Sequence, residues 1–126
     1  MLSVRASSDP SYARLHRLAV DAYALQHPDE YCRSAKSLAA HLTGACAAID
    51  READVERIND AVQRWLSRNP HLERPAPPSS RGSFTIAGLD DDPASVRAWA
   101  ASAWEAWAEH HALARSWVEE ALARKR

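Results

Sequence analysis

Apolar side chains recur every three to four residues along most of the chain, and alternation of the kind a strand needs runs no further than Ser83–Ile86. The first helical pattern begins after Ser8 or Asp9, either of which can cap it. Pro10 suits the first turn, because its missing N–H would have no partner there. The helix runs to about residue 27 and is stopped by Pro28. At 100° per residue, Tyr12, His16, Ala19, Val20, Tyr23 and His27 form one stripe, and Leu15, Leu18, Ala22 and Leu25 form a second. Only Arg14, Arg17 and Asp21 make a polar strip. A helix of this kind is expected to be buried on two sides, as in the middle of a bundle.

A second helix is predicted over about 34–49, with Leu38, His41, Leu42, Ala45 and Ile49 on its apolar face. A third, over about 52–68, turns Val55, Ile58, Val62, Trp65 and Leu66 inward and ends before Asn69-Pro70. Residues 69–92 differ: the stretch from Asn69 to Pro93 holds five of the seven prolines. It reads as a long loop along the surface, with a helical turn near Thr85–Asp90 anchored by Phe84, Ile86 and Leu89. The alternative is disorder around 74–82, and Glu73–Gly82 is expected to be the most mobile internal stretch. The last helix starts at Asp92-Pro93 and continues to about 123. Its buried stripe is Val96, Trp99, Ala103, Trp107, His110, Ala114, Trp117, Val118 and Ala121, with Trp104 and His111 on the flank. The fold class that follows is all-α: a four-helix, bundle-like single domain with a long proline-rich loop before its last helix. The first and last helices are expected to be the most buried.

Composition narrows the functional classes. At 126 residues, 46% hydrophobic and 26% charged, the chain has the size and balance of one globular domain. No apolar run is long enough to span a bilayer, and the first residues lack the apolar core of a secretion signal, so a cytoplasmic location is expected. A net charge of −1 offers no basic face for nucleic acid. The terminal Ala123–Arg126 reads as a solvated helix end. Cys32 and Cys46 lack CxxC spacing and are expected to be free thiols, Cys46 acting as a small hydrophobe.

The histidines carry the candidate chemistry. His16, His27, His41 and His110 fall on faces that periodicity assigns to the interior, with His111 at an edge and His71 exposed. Each can be a half-buried imidazole bonded to a carbonyl or a tyrosine, and His27 also suits a helix C-terminus. Together they can instead line a site between helices, where imidazole binds divalent metals, zinc above all. His16 and His27 are about 16 Å apart along one helix and cannot share an ion. If the first two helices form an antiparallel hairpin turning near residue 31, His41 lies opposite Val20 or Asp21, about one turn from His16. The expected ligand set is therefore His16, His41 and either His110 or His111. Asp21 can orient a ligand from behind or pair with Arg14 or Arg17. The chain has no HxxxH, HExxH, GxSxG or phosphate-cradling glycine loop.

The sequence from Leu15 to Pro28, with Ser37–Leu42, the proline-rich middle and Val96–His111, resembles a bacterial family of unknown function, domain-of-unknown-function family 5946. The most specific part is a His-x6-Tyr-x-Leu-Gln-His-Pro pattern, met by His16, Tyr23, Leu25, Gln26, His27 and Pro28. An N-terminal Cys-x-x-Cys segment carried by some relatives is absent. The resemblance implies a small helical protein, supplies no activity, and adds weight to His16, Tyr23 and His27. A pocket along the stripe, with Tyr23 between the two histidines, would reconcile these positions with the His16–His41 set. The leading expectation is a histidine-lined interior site, metal-binding and open to metal-dependent catalysis, with Tyr23 and His27 as candidate catalytic groups acting on a small molecule. The rival is a non-catalytic ligand-binding or interaction module, such as a homodimer, built on the tryptophan-rich last helix.

Overall fold

The computed structural model describes residues 10–68, 70–78 and 93–123, and every regular element in them is helical. In chain order these are α1 (Pro10–Gln26), α2 (Pro28–Tyr31), α3 (Ala35–Asp50), a 3-10 turn (Glu52–Asp54), α4 (Val55–Ser67), α5 (Pro93–Ala106), a second 3-10 turn (Ala108–His110) and α6 (His111–Ala123). The all-α expectation holds. The count does not, since six α-helices replace four.

Two local causes account for the extra elements. Pro28 cannot continue α1, yet it suits a first helical turn, so the chain restarts as the single turn α2. Ser34 then caps α3 by accepting from the Ser37 amide at 3.0 Å, and the Ser37 hydroxyl donates back to the Tyr31 carbonyl. The long last helix divides at Trp107. There the amide of Trp107 bonds the Trp104 carbonyl at 3.0 Å, and that same oxygen meets His111 Nε2 at 2.8 Å. Two donors on one carbonyl replace the usual amide four residues on and tighten the chain into a 3-10 turn.

α3 is the hub. It packs against α1, α4, α5 and α6, while α1 lies across α3 and α5. Leu38, Ala39, Leu42, Thr43, Gly44, Ala45, Cys46 and Ala47 are all buried, which leaves α3 little free surface. The expectation that the first and last helices are the most buried is corrected accordingly. The larger core joins α3, α4 and α6 with Leu25, Trp104 and Trp107. A smaller one joins Leu15, Leu18 and Ala22 of α1 to Val96, Trp99, Ala100 and Ala103 of α5, and Ala48 and Ile49 touch both.

Indole N–H groups tie the layers together. Trp107, fully buried, donates to the Leu25 carbonyl at 3.0 Å. Trp99 donates to Gln26 Oε1 at 2.7 Å, and Trp65 to Glu120 Oε2 at 2.8 Å. Residues 70–78 contain no helix or strand. They are fastened by Arg74 Nε donating to the Cys32 carbonyl at 2.7 Å and by His110 Nε2 on the Ala76 carbonyl at 2.8 Å. The expected turn near Thr85–Asp90, and the part beyond Pro78 of the stretch expected to be mobile, lie outside the described residues.

Trp107→Phe should lower stability by about 2–4 kcal/mol, because it opens a cavity and orphans a buried carbonyl. Trp117→Phe, where no indole hydrogen bond is present among the described residues, should cost about 1 kcal/mol less. Urea denaturation followed by far-UV circular dichroism gives both values. Equal losses would show that the Leu25 bond contributes nothing.

Candidate functional site

The two stripes of α1 have opposite fates. Leu15, Leu18, Ala22 and Leu25 are buried, whereas His16 and His27 are exposed and Val20 is 44% exposed. The expectation that His16 and His27 face the interior is therefore corrected. Among the described residues α1 packs on α3 and α5, and its more apolar stripe takes that side. Tyr23 is half-buried and packs at the edge of the smaller core; its ring lies 4.4 Å from that of exposed His27 and 5.6 Å from that of Tyr31. No histidine lines the cleft of about 380 Å³ beside α1, which is formed by Arg14, Leu15, Leu18, Ile49, Val55 and Arg97 among others.

The polar strip supplies what the histidine stripe does not. Asp21 is 1% exposed, pressed against α3. Its Oδ1 lies 2.9 Å from His41 Nδ1, and its Oδ2 accepts from Arg17 Nε at 3.2 Å. The antiparallel register that places His41 opposite Asp21 is thus observed, and Asp21 both orients an imidazole and pairs with Arg17. Gly44 makes room for this. A Cβ there would collide with the Asp21 carboxylate, only 2.9 Å from its Cγ. Burial pushes the Asp21 carboxyl above its ordinary pKa, and the His41 hydrogen bond and the nearby Arg17 charge pull it back. An ionised carboxylate only accepts, so it selects the His41 tautomer protonated at Nδ1 and leaves the lone pair on Nε2. The His41 side chain is 24% exposed, open enough for a ligand to reach.

The other imidazoles are engaged elsewhere. His110 is bound through Nε2 to Ala76 and lies 5.8 Å from the Trp107 ring. His111 stacks on Trp104 at 3.7 Å while bonding the Trp104 carbonyl. A carbonyl can only accept, so Nε2 carries the proton in both rings. His16 is on the outer face of α1, His41 at the α1–α3 seam, and His110 and His111 at the α5–α6 break. No group of three or more His, Cys, Asp or Glu side chains among the described residues is placed to hold a metal ion. His71 is exposed, as expected. Cys32 and Cys46 are buried free thiols, pushed up by burial to about 12 and about 11. All four tryptophans of α5, α6 and the turn between them are buried, so the module imagined on that segment has no exposed indole face.

Sequence reasoning named Asp21 and His41 but missed Gly44. Its signal is a lone glycine inside a helical pattern, which marks a close approach when it sits level with a buried polar group.

Residues 1–108 match the model of a family of unknown function, DUF5946. The chain belongs to that family. The DUF5946 match takes in α1, α3 and α4, and hence Arg17, Asp21, His41 and Gly44, and it stops before His110 and His111. No curated protein and no solved structure matches the chain. No helix among the described residues is long and apolar enough to cross a membrane.

Gly44→Ala should destabilise the fold, since overpacking costs about 1–3 kcal/mol and the gain in helix propensity is only about 1 kcal/mol. Asp21→Ala in the same chain should restore part of the loss. A Gly44→Ala protein at least as stable as its parent would contradict the close approach. A second expectation concerns pH. A carboxyl raised in the folded state contributes stability that is fully present below its unfolded value of about 4 and is lost as pH rises through its folded value. The test uses a His41→Gln background, which removes the imidazole titration. There the stability advantage of the intact aspartate over the Asp21→Asn variant should shrink from pH 4 to 7. An advantage that grows would mean that Arg17 outweighs burial.

Proposed function

We propose that the protein is a small-molecule-directed domain whose working group is the Nε2 of His41, acting as a general base on a ligand bound at the α1–α3 seam. The observation that carries this reading is the 2.9 Å contact between His41 Nδ1 and a carboxylate that is 1% exposed. Asp21 holds the ring's orientation and tautomer, leaving Nε2 to take a proton from water or from a ligand hydroxyl. Arg17 commits Nε to Asp21, and its terminal amino groups can meet an anionic or developing oxyanion oxygen beside the base. Tyr23 and His27, whose rings lie 4.4 Å apart, have no part in this step.

A divalent metal, zinc by preference, is a second reading, favoured by the same pair. A carboxylate behind an imidazole is the usual support of a metal-bound histidine. His41 would be the one ligand drawn from this seam, and the remaining ligands would come from the bound molecule or water.

Hydrolysis of p-nitrophenyl acetate is a direct probe of an available imidazole base. His41→Gln should reduce the protein-dependent rate at least about tenfold, a modest share of what a positioned base can supply. Asp21→Asn, which frees the tautomer, should also reduce it, and His71→Ala should leave it unchanged. A His41→Gln protein as fast as the parent would mean that exposed imidazoles do the work, and the base reading falls. Zinc titration followed by melting temperature tests the second reading. A rise in the parent that disappears in His41→Gln supports it, and no rise, or one that survives the substitution, rejects it.

A further inference from the structure

Between the end of α4 and buried Pro78 the chain runs without regular structure, and few hydrogen bonds hold it in place. No backbone–backbone bond among the described residues involves 70–78, and Pro70, Pro75, Pro77 and Pro78 have no N–H with which to make one. Two side chains fasten the stretch instead: Arg74 Nε donates to the Cys32 carbonyl at 2.7 Å, and His110 Nε2 donates to the Ala76 carbonyl at 2.8 Å. Leu72, half-buried, packs against the larger core, while His71, Glu73, Arg74 and Ala76 are exposed. The carbonyl that Arg74 holds belongs to a residue of the opposite kind. Cys32 is 0% exposed, lies in the core that Leu72 touches, and its Sγ donates to the Ala24 carbonyl at 3.5 Å. The Arg74 charge is also near enough to this thiol to work against the rise that burial causes.

We infer that residues 70–77 form a latch, a strap that opens as a unit while the helices stay folded and that, when open, lets solvent reach Cys32. Segments with few buried apolar contacts open at a lower free energy than a core does. Opening this one releases two side-chain hydrogen bonds and a half-buried leucine. Unfolding α3 or α4 would instead expose a whole buried face. The helices lose no backbone bond when the strap leaves. The Cys32 amide stays on the Pro28 carbonyl at 3.0 Å, and Ser34 still caps α3. Closed, the latch keeps the thiol protonated and away from reagents; open, it returns Cys32 to the reactivity of an ordinary cysteine. Cys46 is equally buried but lies between α3 and α6, beside Arg115 and Val118, and serves as an internal comparison.

Alkylation of the native protein by iodoacetamide, read at each cysteine by peptide mass spectrometry, tests the latch. Arg74→Ala and His110→Ala should each speed the reaction at Cys32 about fivefold, the effect of one ordinary hydrogen bond on an opening equilibrium. Cys46 should keep its parent rate, and the circular dichroism spectrum should not change. A parent-like rate at Cys32 in either folded variant overturns the proposal. Equal acceleration at both cysteines also overturns it, because that reports a general loosening of the fold. The parent alone gives a second reading should the variants fail to fold. In low urea its Cys32 rate should rise less steeply than the constant for global unfolding, since opening the strap exposes less surface. A slope equal to that of global unfolding would mean that the thiol is reached only when the helices come apart, and there is no latch.

Discussion

A carboxylate sealed between two helices sets the terms for the rest of the molecule. Asp21 can be 1% exposed only because α1 lies close on α3, and α1 can lie close only because position 44 has no side chain. Isolated burial of such a charge would cost several kcal/mol, so both oxygens must find donors, and they find Arg17 from the same helix and His41 from the facing one. Once that seam is in place, Leu15, Leu18 and Ala22 meet the α5 tryptophan Trp99, and Leu25 reaches Trp107. The small core of α1 and α5 is therefore coupled to the larger core of α3, α4 and α6 through a polar contact as well as through Ala48 and Ile49.

Much of this was legible in the chain. The register of α1 against α3 followed from a hairpin turning near residue 31, and the inward faces of α4 and α5 followed from periodicity alone: Val55, Ile58, Val62, Trp65, Val96, Trp99 and Ala103 are all buried. Periodicity could not decide between the two stripes of α1. Both repeat at helical spacing, and that spacing alone does not say which side the neighbouring helices take. Nor could it show the break at Trp107. No glycine or proline lies between Ala94 and Ala123 to announce it, and the cause is a tertiary preference: the Trp107 indole reaches the Leu25 carbonyl, and His111 folds back onto Trp104.

The histidines show why counting a residue type on interior faces overstates a site. A polar ring near a core must be satisfied, and ready acceptors are backbone carbonyls left open where a helix breaks or in an irregular segment. His110 and His111 lie at such a break and bind Ala76 and Trp104. His41 sits mid-helix and turns to a side chain on the facing helix, Asp21. That difference in setting, more than sequence spacing, separates the one imidazole with a carboxylate behind it from those that fasten the fold.

Stability alone does not explain the choice of Asp21. Filling the same space with an apolar side chain, and His41 with another, would remove the desolvation cost and is commonly neutral or stabilising in such replacements. A buried acid that must recruit an arginine and a histidine, and that forbids any side chain at position 44, is an expensive way to join two helices. What the apolar alternative lacks is a ring held in one tautomer on a side chain that is 24% exposed. The Asp21 carboxylate supplies that directly, and this is the ground on which the seam, rather than the exposed histidines of α1, is proposed as the place for chemistry.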